Sequence, residues 1–114
     1  MANNFKNSFA TSVSTNSASP TTVYTANNGS AVNSILIELD VANTGSSALQ
    51  VSVQIYDSSA TASYHIVKNA PVPAGGALKV VSGQKVVLNG DDEVRVYATA
   101  STVDVVASIL EDVA

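Results

Sequence analysis

An all-β fold of roughly seven or eight short strands, a sandwich or a barrel, is predicted by three observations. From Ala31 onward apolar and polar residues alternate with period two, the pattern of half-buried strands. Turn signals recur at short intervals: Gly45, Pro71 and Pro73 with Gly75-Gly76, Ser82-Gly83, Asn89-Gly90, and Ser101-Thr102. β-Branched residues are abundant, and no stretch carries the apolar spacing of an amphipathic helix. A chain of 114 residues fits one domain and can bury a core without staples.

The first thirty residues read differently from the rest. "MANNFKNSFATSVSTNSASPTTVYTANNGS" holds 17 Ser, Thr or Asn, one charge at Lys6, and scattered large apolar groups at Phe5, Phe9, Val13, Val23 and Tyr24. Such a segment buries too little apolar area to offset its own ordering entropy, so residues 1–30 are expected to form an extended arm on a sandwich of residues 31–114. Its "TTVYT" run after Pro20 is β-prone and is expected to supply a first strand.

Within the predicted sandwich, "NSILIELDVAN" sets Ile35, Ile37, Leu39 and Val41 on one face and Glu38 and Asp40 on the other. "LQVSVQIYD" repeats the pattern with Leu49, Val51, Val53 and Ile55 inward, and "TGSSA" between the two has the length of a hairpin loop. The strands "YHIVK", "LKVVSGQKVVL", "DEVRVYATA" and "VDVVASILE" follow. The last is apolar on both faces, with Val103, Val105, Ala107 and Ile109 on one and Val106 and Leu110 on the other. That pattern fits either a central strand or one whose outer face meets another subunit.

Composition narrows the function classes. Five Lys and Arg stand against nine Asp and Glu, with no basic cluster to neutralise a row of phosphates, so nucleic acid is not an expected partner. No apolar run approaches the ~20 residues of a spanning helix, so no membrane partner is expected, and the leading residues lack the apolar centre of a secretory signal. The absence of cysteine removes disulfide frameworks and thiolate metal sites. Charged residues make up only 12% of the chain, which leaves a neutral-polar surface poorly protected against association with other proteins.

The motifs that could carry chemistry each have a structural counterpart. Gly75-Gly76 in "VPAGGALKV" precedes a strand, and neither phosphate-binding glycine pattern occurs, so the pair is expected to turn a corner, Gly supplying positive φ and Pro73 setting the entry. His65 is the single histidine; with no nucleophile elbow and no second histidine it reads as an outward polar position, and neither a catalytic residue nor a cofactor site is expected. Asp91, Asp92 and Glu93 in "NGDDEV", and Glu111 and Asp112 near the end, offer oxygens to calcium, but the spacing is not that of an EF-hand, and a solvated strand entrance is expected in place of a metal site. Tyr24, Tyr56, Tyr64 and Tyr97 could stack on bases or sugars, yet tyrosines in strands commonly serve as amphipathic packing residues. The Asn28-Gly29-Ser30 sequon has meaning only in a glycosylating pathway.

Three stretches carry a resemblance: "MANNFKNSFATSV" with "TTVYTA", then "ILIELDVANTGSSALQVSVQIYD", then "HIVKNAPVPAGGALKVVSGQKVVLNGDDEVRVYATASTVDVVASILE". Together they span nearly the whole chain, which resembles small virion structural proteins of tailed bacteriophages, a type associated with marine and cyanobacterial phages. The resemblance implies a non-enzymatic antiparallel β-sandwich, jelly-roll-like, present in many copies on the virion and assembled in the host cytoplasm. The implied role is capsid decoration, or cement, with a neck, tail or fibre component as the alternative; a module that binds host-surface glycans through the loops at 58–63 and 89–93 is a second hypothesis. It implies no catalytic motif to transfer. Its partners would be other virion proteins, together with copies of itself in a homo-oligomer, a trimer by analogy. Phe5, Phe9, Val13 and Tyr24 would anchor the arm, and Val106 and Leu110 would meet a neighbour.

Overall fold

A computed structural model describes residues 4–26 and 33–113. Eight strands arise among them: β1 (Asn4–Thr11), β2 (Thr21–Thr25), β3 (Asn33–Asn43), β4 (Leu49–Asp57), β5 (Ala62–Val72), β6 (Ala77–Leu88), β7 (Glu93–Ala98) and β8 (Val103–Val113). They build two four-stranded antiparallel sheets, ordered β1-β8-β3-β6 and β2-β7-β4-β5. The pairings nest: β1 lies on β8, β2 on β7, β3 on β6 and β4 on β5. Only the β4–β5 hairpin stays within one sheet, and every other connection crosses between sheets. This is a jelly-roll β-sandwich, a single long hairpin rolled so that alternate strands fall in opposite layers.

Period-two patterning places the core between the sheets. Leu36, Leu39 and Val41 of β3, Val51 and Val53 of β4, Val94 and Val96 of β7, and Val105, Ala107 and Ile109 of β8 are all buried there. Each Val, Leu or Ile so covered contributes about 1.5–3 kcal/mol, so the interlayer rows carry most of the stability. The two-faced last strand is a central strand, flanked by β1 and β3.

The N-terminal segment departs from expectation. Residues 4–26 are not an arm: β1 forms an edge of the first sheet, and β2 forms an edge of the second. Val13, between them, is 1% exposed. Backbone pairing explains how so polar a segment is ordered, because a strand added to an existing edge gains ladder hydrogen bonds whatever its side chains are. Polar groups then tie the layers together: Ser8 Oγ donates to the Val23 carbonyl at 2.6 Å, and the Ala98 amide donates to the Ser14 carbonyl at 3.0 Å. Tyr24 is also buried, its hydroxyl bonded to the Glu111 carboxylate of β8 and within 3.3 Å of Ser34 Oγ on β3. Both residues named as arm anchors on the inner side, Val13 and Tyr24, are therefore core.

Two other local expectations change. β3 and β4 do not pair as a hairpin, since β3 lies between β8 and β6 while β4 lies in the opposite layer. The "TGSSA" connection spans the end of the sandwich, held by Thr44 N to Thr102 O at 2.9 Å and by Asn43 Nδ2 to Ser47 O at 2.8 Å. The Ser82-Gly83 step is not a turn either; β6 runs through it, its register against β3 shifted by bulges. Pro71 lies inside β5, which is tolerated because β5 is an edge.

The Gly75-Gly76 corner is as expected. Gly75 adopts φ +72°, and the Gly76 amide closes the turn onto the Pro73 carbonyl at 2.9 Å. A Cβ on Gly76 would stand 2.8 Å from Pro73 Cγ, so the turn is too tight for a side chain there. The Asn28-Gly29-Ser30 sequon and the Asp112 side chain lie outside the described residues.

Candidate interaction surface

Strand parity turns Phe5, Asn7 and Phe9 of β1 outward, beside Leu110, Ser108 and Val106 of β8. Register then continues these rows across the whole first sheet. Phe5 faces Leu110, Leu110 faces Ile35, and Ile35 faces Val87, a row of four apolar side chains from one sheet edge to the other. A second row runs Phe9–Val106–Asp40–Lys79, and Asn7–Ser108–Glu38–Ser82 lies between them. Phe5 is 81% exposed, Phe9 63%, Val87 58% and Val106 44%, while Ile35 and Leu110 are half-buried by their neighbours. Single exposed apolar residues are ordinary on a protein surface, but a contiguous set is not.

Polar groups elsewhere on the face pair with one another. Lys79 Nζ sits 3.5 Å from both Glu38 and Asp40, and the carboxylates, Asp40 foremost, raise its pKa. Thr11 Oγ1 donates to Asp104 Oδ1 at 2.5 Å. Two shallow open depressions follow the β1–β8 seam, one beside Phe9 and Val106 and the other beside Phe5 and Ser108. Phe5, Phe9, Val106 and Leu110 thus share one face, as an interaction role requires, whereas Val13 and Tyr24 do not reach it. Val87 was missed from sequence, and Ile35, expected inward with Ile37, Leu39 and Val41, faces outward instead. By spacing Ile35 shares the parity of the inward Leu39 and Val41, but the bulge after Leu36 reverses the parity of β3, and bulges leave no local signal in this strand.

The outer face of the second sheet is polar. His65 Nε2 lies 2.9 Å from Tyr97 Oη and 3.3 Å from Gln54 Nε2, and its ring meets that of Tyr97 edge-on. Both partners are neutral side chains, with no carboxylate between them. Arg95 lies 4.0 Å over the ring of Tyr56 and donates from Nε to Glu93 Oε1 at 2.9 Å. The four tyrosines do not form one platform: Tyr24 is core, Tyr56 is covered by Arg95, Tyr97 abuts His65, and Tyr64 stands exposed.

The two loops singled out at 58–63 and 89–93 do meet. Asp92, 5% exposed, accepts from the Ser58 amide at 3.1 Å, from Ser58 Oγ at 3.3 Å and from the Asn89 amide at 3.0 Å. Its carboxylate is a latch between loops. Glu93 points instead to Arg95 and Thr22, and among the described residues no three acidic or histidine side chains converge as a metal site needs.

Glu93 also ties β2 to β7, because Thr22 Oγ1 donates to the same oxygen at 2.9 Å. The Arg95 hydrogen bond is the largest influence on its carboxyl; with help from Thr22 it outweighs partial burial and holds the pKa below the ordinary 4.5. A depressed folded-state pKa gives stability that is present above the unfolded value and lost as pH falls through the folded one. Wild type is therefore expected to exceed Glu93→Gln in urea stability above about pH 4.5, with the gap closing at lower pH. An equal gap at pH 7 and pH 3 would remove this link.

Comparisons with protein-family models, curated proteins and solved structures find no match for this chain.

Proposed function

We propose that this protein is a non-enzymatic structural subunit of a bacteriophage virion, a capsid decoration or cement protein that holds neighbouring virion proteins by burying the outer face of its first sheet. The observation that carries the reading is the Phe5–Leu110–Ile35–Val87 row with Phe9 and Val106 beside it. Apolar side chains aligned across four strands cost solubility in a free monomer, and covering them releases water at about 25 cal/mol per Å². A jelly roll supplies the rigid body such a contact needs, and the low charge of the chain removes repulsion between copies packed on a particle. The virion assignment itself rests on the resemblance of the sequence to tailed-phage structural proteins.

The test replaces the face without disturbing the core. Val87→Lys with Val106→Lys is expected to leave the melting temperature within a few degrees, since both are surface positions. Incorporation into virions of the encoding phage is expected to fall at least tenfold, read by quantitative immunoblotting of purified particles. Normal incorporation of this variant would overturn the proposal. Electron microscopy of intact particles then separates a cement position on the capsid lattice from a ring at the neck or tail.

A further inference from the structure

The jelly roll has four edge strands, β1, β6, β2 and β5, and three of them carry the devices by which natural sheets prevent edge pairing. β2 has a bulge between Thr22 and Tyr24. β5 has Pro71, Lys68, a left-handed Asn69 at φ +55° and two register shifts. β6 has Lys79, Lys85 and two register shifts against β3. β1 has none of these except one lysine: its eight residues pair with β8 in unbroken register from Asn4 to Thr11, without proline or bulge. Such an edge is a template for another strand.

We infer that two copies of this chain join through the Phe5–Phe9 stretch of β1, an edge among the described residues, antiparallel about a two-fold axis at Asn7, making one continuous eight-stranded sheet. The partner is chosen by self-complementarity in "FKNSF", residues 5–9. Centred on Asn7, the pairing sets Phe5 against Phe9 of the partner copy, and Phe9 against the partner's Phe5, all on the outer face. Lys6 then lies opposite Ser8. A centre at Lys6 would oppose two like charges, and a centre at Ser8 would split the phenylalanines. Registers shifted by one residue turn the two sandwiches to opposite sides of the joined sheet and divide the rings between faces.

Area supports the same occupant. At 81% and 63% exposure, the four rings of two copies offer roughly 500 Å², about half of the ~1,000 Å² a stable interface needs. The edge backbone of residues 5–9 and flanking side chains supply the remainder. The contact is isologous and closes at two copies, in contrast to the trimer expected by analogy. It deepens the proposed function, resting on the same outer face, because pairing would continue each Phe5–Leu110–Ile35–Val87 row into Phe9 and Val106 of the other copy.

The chain contains no cysteine, which makes a register test direct. Directly opposed Cβ atoms in an antiparallel pair lie about 4.5–5.5 Å apart, close enough for a disulfide after small adjustment. Full-length Asn7→Cys is expected to oxidise to a covalent dimer, and Ser108→Cys, on the same face but away from the axis, is expected to stay monomeric. In sedimentation, Phe5→Lys or Phe9→Glu alone is expected to weaken self-association at least tenfold. The double substitution should restore most of it, since each introduced ammonium meets an introduced carboxylate across the axis. A wild-type chain that stays monomeric up to about 1 mM overturns the inference, as does equal cross-linking of the two cysteine variants. If wild type is monomeric but the Val87→Lys, Val106→Lys chain is lost from virions, the pairing fails and the assembly role stands. If the Asn7 disulfide forms but that variant enters virions normally, the pairing stands and the assembly role fails.

Discussion

Deleting residues 2–20 is expected to leave a chain that no longer folds. The segment contains all of β1, the buried Val13, and the amide and hydroxyl groups that tie the two layers together at this edge. Its removal strips one flank of β8, uncovers the inner side of β2, and leaves the Ala98 amide without the Ser14 carbonyl. Burying Val13 alone contributes about 1.5–3 kcal/mol, and the eight-residue ladder adds many hydrogen bonds worth about 1 kcal/mol each. A loss of that size rivals the entire stability of an ordinary domain, about 5–15 kcal/mol. Thermal unfolding followed by circular dichroism checks this: a sharp cooperative transition near that of the intact chain would show the segment to be dispensable.

Leu39→Ala is expected to cost about 3 kcal/mol and to lower the melting temperature by roughly 10 °C or more. Leu39 is fully buried in β3, aligned with Ala107 of β8 on one side and Val81 of β6 on the other. These neighbours are held by their own ladders and can close only part of the void. Val87→Ala, one strand away on the exposed face, is expected to change stability by less than about 0.5 kcal/mol. Chemical denaturation of both variants tests the contrast, and equal losses would mean that the inner and outer faces have been assigned the wrong way round.

These two experiments mark where sequence reading succeeded and where it stopped. The inward sets Leu39–Val41, Val51–Val53 and Val103–Ile109 were legible because a strand's faces alternate residue by residue, whatever it pairs with. The Gly75-Gly76 corner was legible for a similar reason: positive φ beside proline is a property of the local backbone. The opposite holds for β1. Its composition resembles a disordered tail, and nothing in residues 4–11 indicates that the edge of β8, about a hundred residues later, waits to receive it. The expected β3–β4 hairpin failed likewise, because a short loop permits a hairpin but does not require one when each strand can find a better partner elsewhere.

Of the candidate surface, Phe5, Phe9, Val106 and Leu110 were named from their polar surroundings or from two-faced patterning. That they lie side by side follows from the β1–β8 register, a contact over most of the chain's length. Val13 and Tyr24 show the cost of lacking that register: similar residue types in the same segment turned inward, one against the sandwich interior and the other toward Ser34 and Glu111.

By itself, then, the amino-acid order determined most of the strands after residue 31, which side of most of them is apolar, and the Gly75-Gly76 corner, since all of these depend on neighbours one to four positions away. Only the tertiary structure decided which strands meet, that the nested pairings roll the chain into a jelly roll, and that the exposed phenylalanines share a face with Ile35 and Val87. The reason is that backbone hydrogen bonds are chemically alike in every strand. The choice among partners is made by the summed burial of the whole interlayer core, which no short window of sequence contains.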